Sequence, residues 1–155
     1  MSNVDTWIDT YAICHQNRTN KLLHYVCVPI IVLSLVGILW ALPVPQAFVE
    51  ISPALNWGTC FMLASVVYYF ILSLPLALGM LPFVLLITAI LSWIDKSSWP
   101  LMHVSIALFV IAWIGQFIGH KIEGKKPAFF EDVQYLMIGP LWMLAASFKK
   151  LGLKY

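Results

Sequence analysis

The first long apolar run of the chain follows a polar stretch, residues 11–24, that reads YAICHQNRTNKLLH. This stretch holds two histidines, two asparagines, an arginine and a lysine. A second polar stretch, residues 116–127, reads QFIGHKIEGKKP and closes another apolar run. Because most of the remaining sequence is apolar, we expect these two stretches to meet at one membrane surface and to hold a metal ion there.

The composition is that of an integral membrane protein. The 155 residues are 61% hydrophobic and 10% charged, whereas soluble domains carry about 25% charged residues. This length predicts a single transmembrane domain over residues 1–155. The net charge of +2 comes from a few short cation clusters, which argues against nucleic-acid binding. The cysteines Cys14, Cys27 and Cys60 are odd in number and do not predict a disulfide framework.

Apolar runs close to the ~20 residues that a bilayer requires predict an all-α, integral membrane helical bundle of four to five transmembrane helices. A short N-terminal interfacial helix is predicted over residues 4–15, with Trp7 and Tyr11 on its apolar face. Thr19 or Asn20 is expected to cap the first span. The predicted spans are 22–42, 55–74, 76–93, 100–119 and a shorter fifth segment, 133–148, which either crosses with a kink or is re-entrant.

The distribution of cations predicts the orientation in the membrane. One side of the predicted bundle carries Arg18, Lys21, Lys121, Lys125 and Lys126. The positive-inside rule therefore makes this side, with both polar stretches, cytoplasmic.

The histidines are the strongest candidates for function, because an ionisable group at membrane depth is costly. His24 begins the first span and His120 ends the fourth, on the same side. His15 joins them if the chain turns at residues 17–20. His103 lies about 25 Å along the helix from His120, so we assign it no role in the site.

Three neutral imidazoles suit iron, zinc, copper or nickel. Glu123 is the nearest carboxylate, and it is expected either to complete the metal shell or to support a ligand from outside it. Asn17, Asn20 and Gln116 are candidates to orient imidazole N–H groups. Tyr11, one helical turn before the first histidine, is a further candidate.

The cations on this side have two interpretations. Arg18, Lys121, Lys125 and Lys126 are suited to hold the carboxylate of a lipid whose head meets the metal and whose tail lies between the spans. Alternatively, they serve only orientation and contact with lipid phosphates.

Two motifs give the chain a family resemblance. The first motif, Tyr-x3-His-x-Asn-x2-Asn-x3-His, is met by Tyr11, His15, Asn17, Asn20 and His24. The second motif, Gln-Phe-x-Gly-His, is met by Gln116, Phe117, Gly119 and His120. With them the chain resembles the fungal 2-hydroxy fatty acid dioxygenases of the endoplasmic reticulum and their bacterial relatives. Fungal members carry a glutamate four residues after the second-motif histidine, whereas Glu123 stands three after it here.

The resemblance implies an Fe(II)-dependent enzyme that uses O2 to shorten a long-chain 2-hydroxy fatty acid by one carbon. It also implies that His15, His24 and His120 ligate the iron. The membrane is then the inner membrane of a bacterium, or the endoplasmic reticulum of a eukaryote.

Three other functions remain open at this stage. A small cytochrome would bind haem b between His24 and His120. A structural or transport membrane protein would hold no metal. A zinc hydrolase would need Glu123 as its base. The sequence leaves the substrate chain length and the oligomeric state open.

Overall fold

The computed structural model describes residues 16–124, 138–150 and 152. No strand occurs within these ranges, so the predicted all-α class is confirmed. The predicted interfacial helix at residues 4–15 lies outside the described residues. The helices are α1 (Arg18–Trp40), α2 (Gln46–Ile51), α3 (Trp57–Leu72), α4 (Leu74–Asp95), α5 (Leu101–Glu123) and α6 (Ile138–Lys150).

Among the helices of the described ranges, three, α1, α4 and α5, are long and apolar enough to cross a membrane, with 23, 22 and 23 residues. The apolar helix α3 is shorter, at 16 residues. Its axial length of about 24 Å compares with the ~30 Å hydrocarbon core of a bilayer. Helix α6, in the predicted fifth segment, has 13 residues. The molecule is therefore a membrane protein built around three long helices.

The start of α1 differs from the prediction. Asn17 is the N-cap, and its side-chain oxygen accepts hydrogen bonds from the N–H groups of Thr19 and Asn20 at 2.8 and 3.4 Å. The prediction that Thr19 or Asn20 caps the helix is therefore wrong, since both lie in its first turn. A short amide one residue before the helix reaches the N–H groups two and three positions ahead. As a result, the Asn20 side chain is available for contacts inside the bundle.

Helices α1 and α5 pack against each other along their length and run antiparallel. Near the start of α1, Asn20 lies against Gly119, close to the end of α5. Near the end of α1, a Cβ on Gly37 would collide with the side chain of Ser105. Small residues at the contact let two membrane helices approach closely, which is how such helices associate without a hydrophobic driving force. This pairing brings the two predicted polar stretches to the same end of the bundle.

Helix α6 packs against the half of the bundle in which α1 begins. The ring of Trp142 lies 5.8 Å from that of Tyr25, between centroids. A Cβ on Gly79, in the first half of α4, would meet Leu144 and Phe148 at 2.8 and 3.0 Å. These contacts pack α6 against both α1 and α4.

Exposed tryptophans mark the opposite end of the bundle. Trp57, Trp93 and Trp99 are 39%, 69% and 65% exposed, and they stand at the start of α3, the end of α4 and just before α5. Tryptophan is enriched at membrane–water interfaces. From Leu101 to His120, α5 rises about 28 Å, close to the ~30 Å of a hydrocarbon core. The fold therefore places His120 near the other membrane surface.

Candidate metal centre

The side chains of His24 and His120 meet across the contact between α1 and α5. Their ring centroids are 5.2 Å apart, and the ring planes make an angle of 81°. Only 3% of His24 and 6% of His120 is exposed. His24 lies in the second turn of α1 and His120 in the last turn of α5. The structure thus brings together two of the three histidines that the sequence singled out.

The hydrogen bond of His24 determines which ring nitrogen carries its proton. Nδ1 lies 3.0 Å from the main-chain carbonyl oxygen of Asn20. A carbonyl oxygen can only accept a hydrogen bond, so Nδ1 carries a hydrogen, and in the neutral imidazole Nε2 then carries the lone pair. Histidine ligands of metals are commonly held in this way, with one ring nitrogen donating to a carbonyl and the other turned to the metal. In its neutral form, His24 would therefore ligate a metal through Nε2.

The distance between the rings fits one shared ion better than it fits haem. With metal–nitrogen bonds of about 2.1 Å, two imidazoles on one ion have ring centres roughly 4.5–5.3 Å apart. Haem ligated from both faces would separate them by roughly 6 Å, with the porphyrin between. The edge-to-face contact of these two rings leaves no such gap. The same distance is also ordinary for two rings that pack edge to face.

The carboxylate of Glu123 joins the end of α5 to the chain that enters α1. Oε1 accepts from the N–H groups of Gln16 at 2.8 Å and Asn17 at 3.2 Å. Oε2 accepts from the Asn17 N–H and from Nδ2 of Asn20, both at 2.9 Å. These contacts come from three donors, because the Asn17 N–H is shared by both oxygens, and they take up most of the about four lone-pair sites of a carboxylate. This arrangement argues against Glu123 as a metal ligand or as the base of a zinc hydrolase.

Asn20 is the polar residue buried most completely at this contact, with 0% of its surface exposed. Because the Glu123 carboxylate can only accept, the amide nitrogen must face it, and Oδ1 faces Gly119. A Cβ on Gly119 would lie 2.5 Å from that oxygen. Sequence reasoning gave Gly119 no role beyond its place in a motif. Its position directly before His120 was the available signal.

The other predicted site residues fall into three groups. Gln116 is buried, and the side chain of Asn17 caps α1. Arg18 and Lys121 are exposed at the end of the bundle that holds the histidines. His103, which was predicted to have no role in the site, is exposed in the first turn of α5, at the far end. The predicted residues that lie outside the described ranges are Tyr11, His15, Lys125 and Lys126.

Within the described ranges, no three His, Cys, Asp or Glu residues form a group able to hold a metal ion. The predicted third ligand, His15, directly precedes the first described residue. The described donor set is therefore a histidine pair. The contact of Nδ1 of His24 with a carbonyl is compatible with ligation through Nε2, and the Glu123 carboxylate lies about one helical turn from His120.

Fold and site together define a small helical membrane protein with a buried histidine pair at one surface. Its sequence matches the family described as Mpo1-like, 2-hydroxy-palmitic acid dioxygenase Mpo1-like, over residues 1–151. It is 32% identical over 144 residues to the 2-hydroxy-palmitic acid dioxygenase MPO1 of Saccharomyces cerevisiae, covering 92% of this chain and 78% of the yeast protein. The chain belongs to the Mpo1-like family, which confirms the resemblance. No solved structure matches it.

Proposed function

We propose that the protein is an Fe(II)-dependent dioxygenase that shortens 2-hydroxy fatty acids by one carbon. The observation that carries this proposal is the buried contact of His24 with His120 near a membrane surface. Support for the reaction and for the substrate class comes from the yeast relative, which is named as a dioxygenase of a 2-hydroxy fatty acid.

The proposed iron ligands are His15, His24 and His120. The tautomer of His24 and the ring spacing support the last two. For His15, the support is that Gln16, the next residue, donates its N–H to a carboxylate three residues after His120. Bound iron would supply the redox chemistry with O2, and the carboxylate and hydroxyl of a 2-hydroxy acid are two groups that can chelate such an ion.

The protein's own contribution to this chemistry is binding and orientation. Arg18 and Lys121 are exposed at the surface that holds the histidines, and we assign to them, with Lys125 and Lys126, the electrostatic hold on the substrate carboxylate. The burial of both imidazoles keeps bulk water from the reacting end of the substrate. The apolar bundle and the surrounding lipid accommodate the tail. By the cation rule, this surface is cytoplasmic.

The test is chain-length analysis of products by mass spectrometry. Protein purified without oxygen and loaded with Fe(II) should convert a long-chain 2-hydroxy fatty acid to the acid one carbon shorter when O2 is admitted. An iron chelator or the substitution His24→Ala should stop the reaction, whereas the matched substitution His103→Ala should not. If folded, iron-loaded protein leaves 2-hydroxy acids of several lengths unchanged, the proposal is wrong. An absorption spectrum of haem would support the cytochrome instead.

A further inference from the structure

We infer that Glu123 is a positioning residue that sets the geometry of the pair His24 and His120 through one carboxylate. The inference rests on the proposed function for the metal itself. The hydrogen bonds of the Glu123 carboxylate, which we call the clasp, are formed by protein groups alone. Its partners are the main-chain N–H groups of Gln16 and Asn17 and the side chain of Asn20.

The carboxylate is connected to both histidines of the described pair. Asn20 donates its side chain to Glu123 while its carbonyl accepts from Nδ1 of His24. His120 lies three residues before Glu123 on the same helix, hence on the same face.

The position of the carboxylate also explains why it is stable there. The first turn of a helix exposes N–H groups and the positive end of the helix dipole. The first turn of α1 contains Arg18 and Lys21 and no acidic residue, so it lacks its own carboxylate. Glu123 supplies one from another helix. The clasp therefore holds the entry of α1 against the last turn of α5, where the two imidazoles meet.

Asn20 and Glu123 permit a test in which the polarity of one hydrogen bond is exchanged. Asn20→Asp places a second carboxylate against Glu123, and the two repel. Adding Glu123→Gln restores a donor–acceptor pair, because the glutamine amide nitrogen can donate to the new carboxylate at position 20 while its oxygen still accepts from the main chain. We expect N20D to weaken Co(II) and Fe(II) binding by about tenfold or more, and N20D/E123Q to regain most of that loss. The matched control is Glu50→Gln, which removes an exposed carboxylate from α2 and should change nothing.

A second measurement, on metal-free protein, separates this inference from the proposed function. Detergent unfolding of the apo variants should show the same favourable coupling between positions 20 and 123, whether or not iron is the native metal. If N20D does not fold, recovery of folded protein in N20D/E123Q is the same rescue. An absence of coupling in the apo protein would overturn the inference. Loss of metal in every Glu123 variant, without rescue by Asn20→Asp, would also overturn it and would make Glu123 a ligand. Wild-type protein that binds no metal, but whose variants show the coupling, would contradict the proposed function alone.

Discussion

The substitution Gly119→Ala tests whether the packing behind His24 controls the metal site. The added Cβ would lie 2.5 Å from Oδ1 of Asn20, well inside the ~3.3 Å at which carbon and oxygen normally meet. Asn20 must therefore move, and its hydrogen bond to Glu123 at 2.9 Å is the contact that it loses. A hydrogen bond to a charged group contributes about 1.5–3 kcal/mol. A retained clash costs about 1–3 kcal/mol.

These two costs are alternatives, because moving Asn20 relieves the clash. Alanine also gains about 1 kcal/mol of helix propensity over glycine. The net loss in stability should therefore be about 0.5–2 kcal/mol, measured by detergent-induced unfolding. Metal affinity, measured by Co(II) titration, should fall about 10–100-fold because the support of His24 is displaced.

Gly115→Ala provides the matched control for this substitution. Its Cβ would lie 2.6 Å from Sγ of Cys27, about one helical turn deeper at the same contact between α1 and α5. The clash is similar, but no polar partner of a histidine moves. Gly115→Ala should therefore lose stability to a similar degree and keep its metal affinity. Equal loss of metal in both variants, or none in Gly119→Ala, would refute the reasoning.

Three further predictions concern the proposed site and its surroundings. Single cysteines at Thr19 and Gly124 should react equally with an impermeant reagent in intact cells, since both lie at one end of the bundle; opposite reactivity would contradict a single site. His103→Ala should leave the metal content unchanged in elemental analysis, because His103 lies at the far end of α5 from His120. A loss of metal would contradict this position of His103. Replacing Lys125 and Lys126 together by Ala should raise KM for a 2-hydroxy acid more than it lowers kcat, because uniform binding of the carboxylate is removed; an unchanged KM would assign these lysines to lipid contact.

Much of the fold was predictable because composition and hydropathy limit a membrane chain to few arrangements. The ends of the helices were less predictable. Helix α5 continues beyond the predicted end at residue 119 to Glu123, and it stops where Gly124 adopts the left-handed conformation, with φ of 73°. Polar residues at the membrane surface remain helical until a residue such as glycine favours termination. Hydropathy alone therefore ends such a helix too early.

The meeting of His24 with His120 followed from topology, because two antiparallel spans place those positions at one end. What pattern reasoning could not predict is how the polar groups around them are used. Asn20 supports His24 through its carbonyl and not through its side chain. Glu123 bonds to main-chain N–H groups that no side-chain motif reveals. These choices depend on the close approach of two helices, which is a property of their packing.

The pairing of α1 with α5 also determines when the site can form during synthesis. Asn20 and Glu123 are separated by 103 residues. At about 5–20 residues per second, the ribosome needs roughly 5–20 s to make that length of chain. Until α5 has been made, Asn20 and His24 lack their partners on that helix, and unpaired polar groups are costly in lipid. A chain that is truncated before α5 therefore contains the first half of the site and none of the groups that complete it.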